Sequence, residues 1–147
     1  MFQDKLKMIG SMEAVLVKGN GDIEVTRKDN IIVNGGFDLI SDAISNSTRP
    51  AAANYIAVGT GTTAPAATQT ALVTESARGL GTYAHTVGTK VFTVTFTFAA
   101  GVATAALTEA GVFNASSAGT MLDRVTFSVI NKGAADTLTV TFTFTLS

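Results

Sequence analysis

The sequence contains no cysteine. Disulfides, thiolate metal sites and cysteine nucleophiles are therefore excluded together, and nothing about compartment follows from the absence. A chain of 147 residues does not need such staples, because at this size a single domain buries roughly 68–70% of its unfolded surface. Histidine occurs once, at His85, which rules out multi-histidine metal sites. No G-x-S-x-G elbow accompanies that histidine to build a Ser-His-Asp set. Charge is scarce as well: 14% of residues are charged, against about 25% in typical soluble proteins, and the net charge is -1. So neutral a surface gives little self-repulsion and suits a chain that works inside an assembly. Long apolar runs are missing too. No segment reaches the ~20 residues of a membrane helix, and Asp4, Lys5 and Lys7 lead into Gly10, Ser11 and Glu13 rather than into the apolar core of a signal peptide.

The charge that is present is unevenly placed. Asp4, Lys5, Lys7, Glu13, Lys18, Asp22, Glu24, Arg27, Lys28 and Asp29 crowd the beginning, and the rest is dominated by Gly, Ala, Thr, Val and Phe. Both signs are mixed there, so the segment reads as a solvated hairpin and not as a basic arm for nucleic acid.

Alternation of side chains carries the fold. Residues 12–18 and 23–27 flank Gly19-Asn20-Gly21-Asp22, a turn sequence that accepts positive φ, and are expected to pair as a hairpin. Residues 31–33 add a short strand, and Phe37, Ile40 and Ile44 then recur at helical spacing over residues 37–44. Residues 45–54 read as a loop, 55–58 as a buried strand and 59–70 as a long Gly/Thr/Ala loop holding Pro65, with one helical turn expected at 69–75. From Val91 the pattern is strict: Phe92, Val94, Phe96 and Phe98 project to one side and Val91, Thr93, Thr95 and Thr97 to the other. Strands are expected at 102–106, 109–114, 122–130 and 137–146. The last repeats the device, with Leu138, Val140, Phe142, Phe144 and Leu146 opposite Thr137, Thr139, Thr141, Thr143 and Thr145. The phenylalanine faces are expected in the core, each large side chain contributing about 1.5–3 kcal/mol on burial. Strands so prone to aggregate must be central, covered or paired between chains. The fold expected is a single all-β domain over residues 1–147, a mostly antiparallel β-sandwich with one short helix and an extended segment at 1–10.

The sequence carries few motifs of known chemistry. Gly59-Thr-Gly61-Thr-Thr-Ala64 matches the loose dinucleotide pattern, but Pro65 follows at once, no long helix opens there and no P-loop lysine is present. The later carboxylates, Asp38, Asp42, Glu75, Glu109, Asp123 and Asp136, offer no preferred acid/base pair. Together with Arg78, Arg124 and Lys132, several of them are candidates for ion pairs that fix loops or subunit register. Asn46-Ser-Thr and Asn114-Ala-Ser match the glycosylation acceptor and carry no weight without a signal peptide. No enzyme activity, cofactor, metal, membrane, nucleic acid or small-molecule substrate is expected.

Three pieces in order, AVGTGTTAP at 57–65, EAGVFNASSAGTMLDR at 109–124 and SVINKGAADTLTVTFTFTLS at 128–147, resemble small virion structural proteins of tailed bacteriophages. The resemblance spans most of the chain and brings no catalytic residue with it. It implies a β-sandwich, with a jelly roll among the options, present in many copies as a capsid cement or decoration protein or as a tail, baseplate or fibre component. The single short domain, without heptads or a collagen-like shaft, favours the capsid surface. On that reading the chain is made in the host cytoplasm and ends in the virion, where its partners are the major capsid protein and copies of itself, or tail proteins on the alternative. The contact regions expected are the amino-terminal segment, through Met1, Phe2, Lys5 and Lys7, and the long loop, through Thr60, Thr62, Thr63 and Pro65.

Overall fold

The computed structural model describes residues 5–147. Its elements follow in the order β1 (Met8–Val17), β2 (Ile23–Ile32), α1 (Asn34–Ser45), β3 (Tyr55–Gly59), β4 (Glu75–Leu80), β5 (Thr82–His85), β6 (Val91–Phe98), β7 (Ala105–Phe113), β8 (Met121–Lys132) and β9 (Thr137–Leu146). The pairings are antiparallel, in the order β4-β3-β7-β8-β2-β1-β9-β6-β5. This is the all-β sandwich with one short helix that the alternation implied. Sheet A is β2-β1-β9-β6-β5 and sheet B is β4-β3-β7-β8-β2.

Two corners join the sheets. At the first, β2 pairs with β1 from Ile23 to Asn30 and then with β8 through Ile31 and Ile32. At the second, β4 leaves sheet B and the chain enters β5 of sheet A with only Gly81 between them. The outermost strands of the order are thus continuous, and the sheet is nearly closed on itself. Gly79 makes that closure possible: the Phe96 ring of β6 occupies the space a side chain there would need.

The core lies between the inner faces. Met12, Ala14 and Leu16 of β1, Val94 and Phe98 of β6, and Leu138, Val140, Phe142 and Phe144 of β9 meet Ile56, Val58, Leu107, Ala110, Val112, Leu122, Val125 and Ile130 of sheet B. The Phe92 ring stacks on Phe144 at 4.9 Å, and Phe96 meets Phe98 edge-on at 4.8 Å. The phenylalanine faces of β6 and β9 are therefore core, and both strands sit inside the sheet rather than at its edge.

The β1–β2 hairpin forms as expected, with Gly21 at φ +93° in its turn. Elsewhere the structure corrects the expectation. No helical turn forms at 69–75; the chain stays irregular up to β4. Residues 102–106 and 109–114 do not make two strands. Ala103 is left-handed (φ 54°), after which β7 runs as one strand with a bulge between Leu107 and Glu109. Helix α1 extends beyond 37–44 at both ends, and its buried residues are Gly36 and Leu39, while Phe37 and Ile44 remain 50% and 68% exposed.

Candidate functional site

The outer faces of the two sheets are treated differently by the chain. On sheet B, residues 59–74 fold back over the strands. Beneath them Glu109 of β7 and Arg124 of β8, both fully buried, form an ion pair at 2.7 Å. The Glu109 carboxylate accepts N–H bonds from Gly61 (2.9 Å), Val73 (3.0 Å) and Thr74 (2.7 Å). The Arg124 guanidinium donates to the Thr63 carbonyl at 2.8 Å and to Gln69 Oε1 at 3.0 Å. Thr108 donates its hydroxyl to the Gly61 carbonyl at 2.9 Å. The loop is clamped at both ends and in its middle, and none of its buried anchors is left without a partner.

Burial by itself raises the Glu109 pKa, but the N–H groups of Thr74 and Val73, the Arg124 guanidinium and the Gly61 N–H outweigh it, so the carboxyl titrates below the ordinary glutamate value. A charged Glu109 is what holds the loop. Beside the clamp, Leu72, Ala57, Val33, Phe113 and Met121 form a second small core under the loop. Arg78 lies 3.7 Å over the Phe113 ring, pairs with Glu75 at 2.7 Å and donates to the Ala115 and Ala118 carbonyls. The ion-pair expectation thus holds for Glu109 with Arg124 and for Glu75 with Arg78.

A second polar knot closes the turn end of the sandwich. Asp136 accepts N–H bonds from Gly133 and Gly19, which hold its carboxyl below the usual range, and lies 3.8 Å from Lys18. Lys132 donates to the carbonyls of Ala99 and Asp136, and its burial lowers its pKa. Asp123 is different, since no cation among the described residues pairs with it. Its cross-strand partners Ile32 and Val112 belong to the main core, which places the carboxyl on the inner face at the β2 corner. Burial pushes its pKa up to about 8, against hydrogen bonds from Asn30 and from the Val112 N–H. The Asn30 Oδ1 is itself buried without a partner.

The expected contact residues fall on separate elements. Met1 and Phe2 lie outside the described residues. Lys5 and Lys7 are exposed, and Lys7 exchanges backbone hydrogen bonds with Ser147 at 2.6 and 2.8 Å, extending the β1–β9 ladder. Thr62 and Thr63 are exposed on the outward side of the clamped loop, with Thr60 and Pro65 half-buried beside them. Thr62 faces Lys28, Thr108 and Thr126 across a shallow depression of about 280 Å³. The loop is also part of the fold: it covers sheet B and is tied down by the clamp. Glu109 and Arg124 stood out in the sequence as charges in neutral stretches; the backbone groups they bind did not.

The outer face of sheet A has no such cover. Thr93, Thr95 and Thr97 of β6 stand in register with Thr143, Thr141 and Thr139 of β9, and these with Ser11, Glu13 and Val15 of β1. Hydroxyls bridge Thr95 to Thr141 at 3.0 Å and Thr97 to Thr139 at 2.8 Å. Glu13 and Asp29 come near each other on this face, but Glu13 is paired with Arg27 at 2.8 Å. An apolar groove of about 470 Å³ opens between α1, residues 50–54 and the start of β5, lined by Leu39, Ile44, Ala52, Tyr83, Phe92 and Leu146 among others. Among the described residues no group of three His, Asp or Glu side chains is placed to hold a metal ion.

No protein-family model matches this chain, and no curated protein and no solved structure is significantly similar to it.

Proposed function

We propose that this chain is a structural virion protein of a tailed bacteriophage that binds the capsid shell as a cement or decoration protein, with the major capsid protein and copies of itself as partners. The observation that supports this reading is where the motif residues meet. The pieces that carry the sequence resemblance, residues 57–65 and 109–124, converge on the clamp: Gly61 and Thr63 from the first, Glu109 and Arg124 from the second. Those residues hold a loop rigid and leave Thr62 and Thr63 outward. A loop already ordered loses little conformational entropy on binding, which favours a contact made many times over a shell. Each copy that binds the closed shell better than the open one raises the stability of the closed state by mass action.

The test is co-sedimentation of the purified chain with capsids stripped of their decoration. Saturable binding, together with a rise in the temperature of shell disruption, is the expected outcome. Binding to host cells or to isolated tails, with none to such capsids, overturns the reading in favour of a tail component.

A further inference from the structure

The edge of sheet A at β5 is short, at four residues, but carries none of the other devices by which a chain guards an open strand. Its outer side pairs with no described strand. Residues 79–89 contain no Lys, Arg, Asp or Glu and no Pro, and β5 itself carries no bulge. Edge strands are ordinarily blunted by one of these features, because bare N–H and C=O groups template pairing with another chain. Around this edge stand three exposed apolar side chains: Val87 at the tip of the β5–β6 hairpin is 92% exposed, Leu80 60% and Tyr83 53%. At the Gly81 end the edge is closed by the chain's own residues, the Gly81 N–H donating to the Asn54 carbonyl at 2.7 Å. The open stretch is Thr82–His85.

We propose that β5 is a self-association edge, pairing antiparallel with β5 of a second copy across a two-fold axis. In such a pair, residues directly opposite share a face of the sheet, so the sum of their numbers is even. Centred on Ala84, Ala84 faces Ala84 of the second copy, Tyr83 faces its His85, and Thr82 its Thr86. The ladder stops there, because the Gly81 edge of the other copy is taken by its own Asn54, and Val87 comes to lie beside the exposed Leu80 at the mouth of the apolar groove that Ala52, Ala53 and Tyr83 help to line. The symmetry makes this contact twice. No charge of either sign lies in the paired stretch to oppose the approach. The two edges and the Leu80, Tyr83 and Val87 side chains of each copy together bury on the order of 1,000 Å², the lower end of specific interfaces, so the dimer is concentration-dependent. This inference does not rest on the capsid reading, because it concerns the free chain.

Sedimentation of the purified chain tests it directly. A monomer–dimer equilibrium is expected, weakened about tenfold or more by Val87→Asp, with the thermal transition of the monomer unchanged because Val87 contacts almost nothing in its own chain. A chain that stays monomeric up to its solubility limit overturns the proposal, as does a dimer that Val87→Asp leaves intact. Register is read from cross-linking, which the absence of native cysteine makes clean: Ala84→Cys is expected to oxidise to a covalent dimer much faster than Ser11→Cys on the outer face of sheet A. Equal rates, or faster reaction at Ser11→Cys, place the interface elsewhere and sink it.

Discussion

The outer faces of sheets A and B are rich in the same small residues and end in opposite states. On sheet A the rows of threonine, with Val15 and Glu13 beyond them, stand open. On sheet B, Gly111, Ala57 and Phe113 are covered by residues 59–74, which would otherwise resemble any surface loop. The difference comes from one carboxylate. Covering a sheet with irregular backbone buries N–H groups that must find acceptors. Glu109 supplies oxygens for Gly61, Val73 and Thr74, and Arg124 neutralises it while satisfying loop oxygens at Thr63 and Gln69. Among the described residues sheet A has no buried charged acceptor on its outer face, and no loop covers it.

The sharpest way to break this contrast is Glu109→Ala. It leaves Arg124 charged and buried without its partner and strips the loop of its acceptor, so a loss of about 3–5 kcal/mol is expected in urea denaturation. Limited proteolysis within 59–74 should appear at the same time. Replacing the pair together by Glu109→Met and Arg124→Met separates the two causes. Buried pairs exchanged for apolar groups are often neutral; here the loop N–H groups still lose their acceptor, so the double variant is expected to stay destabilised and protease-sensitive. Full recovery would mean that the clamp is a charge pair only and that the loop is held by Leu72 and its neighbours.

The two buried carboxyls respond to pH in opposite directions. Glu109 titrates below its ordinary value when folded, so its contribution is present above about pH 4.5 and lost as pH falls through the folded pKa. Asp123 is the reverse. Its folded pKa of about 8 lies above the unfolded value of 3.8, so the native state holds the proton more tightly, and stability falls as pH rises between those values. The slope for one proton is at most about 1.4 kcal/mol per pH unit. Asp123→Asn removes the titrating group while keeping an amide oxygen for the Val112 N–H. It is expected to flatten the decline between pH 5 and 8 and to be more stable than the parent at pH 8, with the acid limb unchanged. Denaturation midpoints across that range decide it; an undiminished slope would assign the decline to another group.

What could be read from the sequence divides along the same line. Strands β1, β6 and β9 announce themselves because one face of each is core and the other is not, so alternation is forced. The threonine face of sheet A was legible for that reason. The cover of sheet B was not, because residues 59–74 show only Gly, Thr and Ala, and their partners lie far along the chain at Glu109 and Arg124. The helical turn expected at 69–75 fails on the same ground: Val73 and Thr74 give their N–H groups to Glu109 instead of to carbonyls within a helix. Strands β4 and β5 were missed altogether. Gly79 and Gly81 look like a turn locally, yet Gly79 makes room for Phe96 and Gly81 turns the chain from one sheet to the other.

The smallest effects give the finest comparison, because one substitution can be made on each face. Thr141→Val on sheet A keeps the β-branched shape and loses one hydroxyl contact to Thr95 on a face where water can replace it. A change within about 0.5 kcal/mol is expected. Thr108→Val on sheet B loses a hydroxyl that donates to the Gly61 carbonyl under the loop, where the orphaned oxygen has less access to water. About 1 kcal/mol is expected there, since an unmet buried acceptor costs more than an exposed one. Both side chains are half-buried by area, so burial alone predicts the same cost for each. Equal effects in parallel urea titrations would mean that Thr108 adds nothing to the clamp and that Glu109 and Arg124 hold the loop without it.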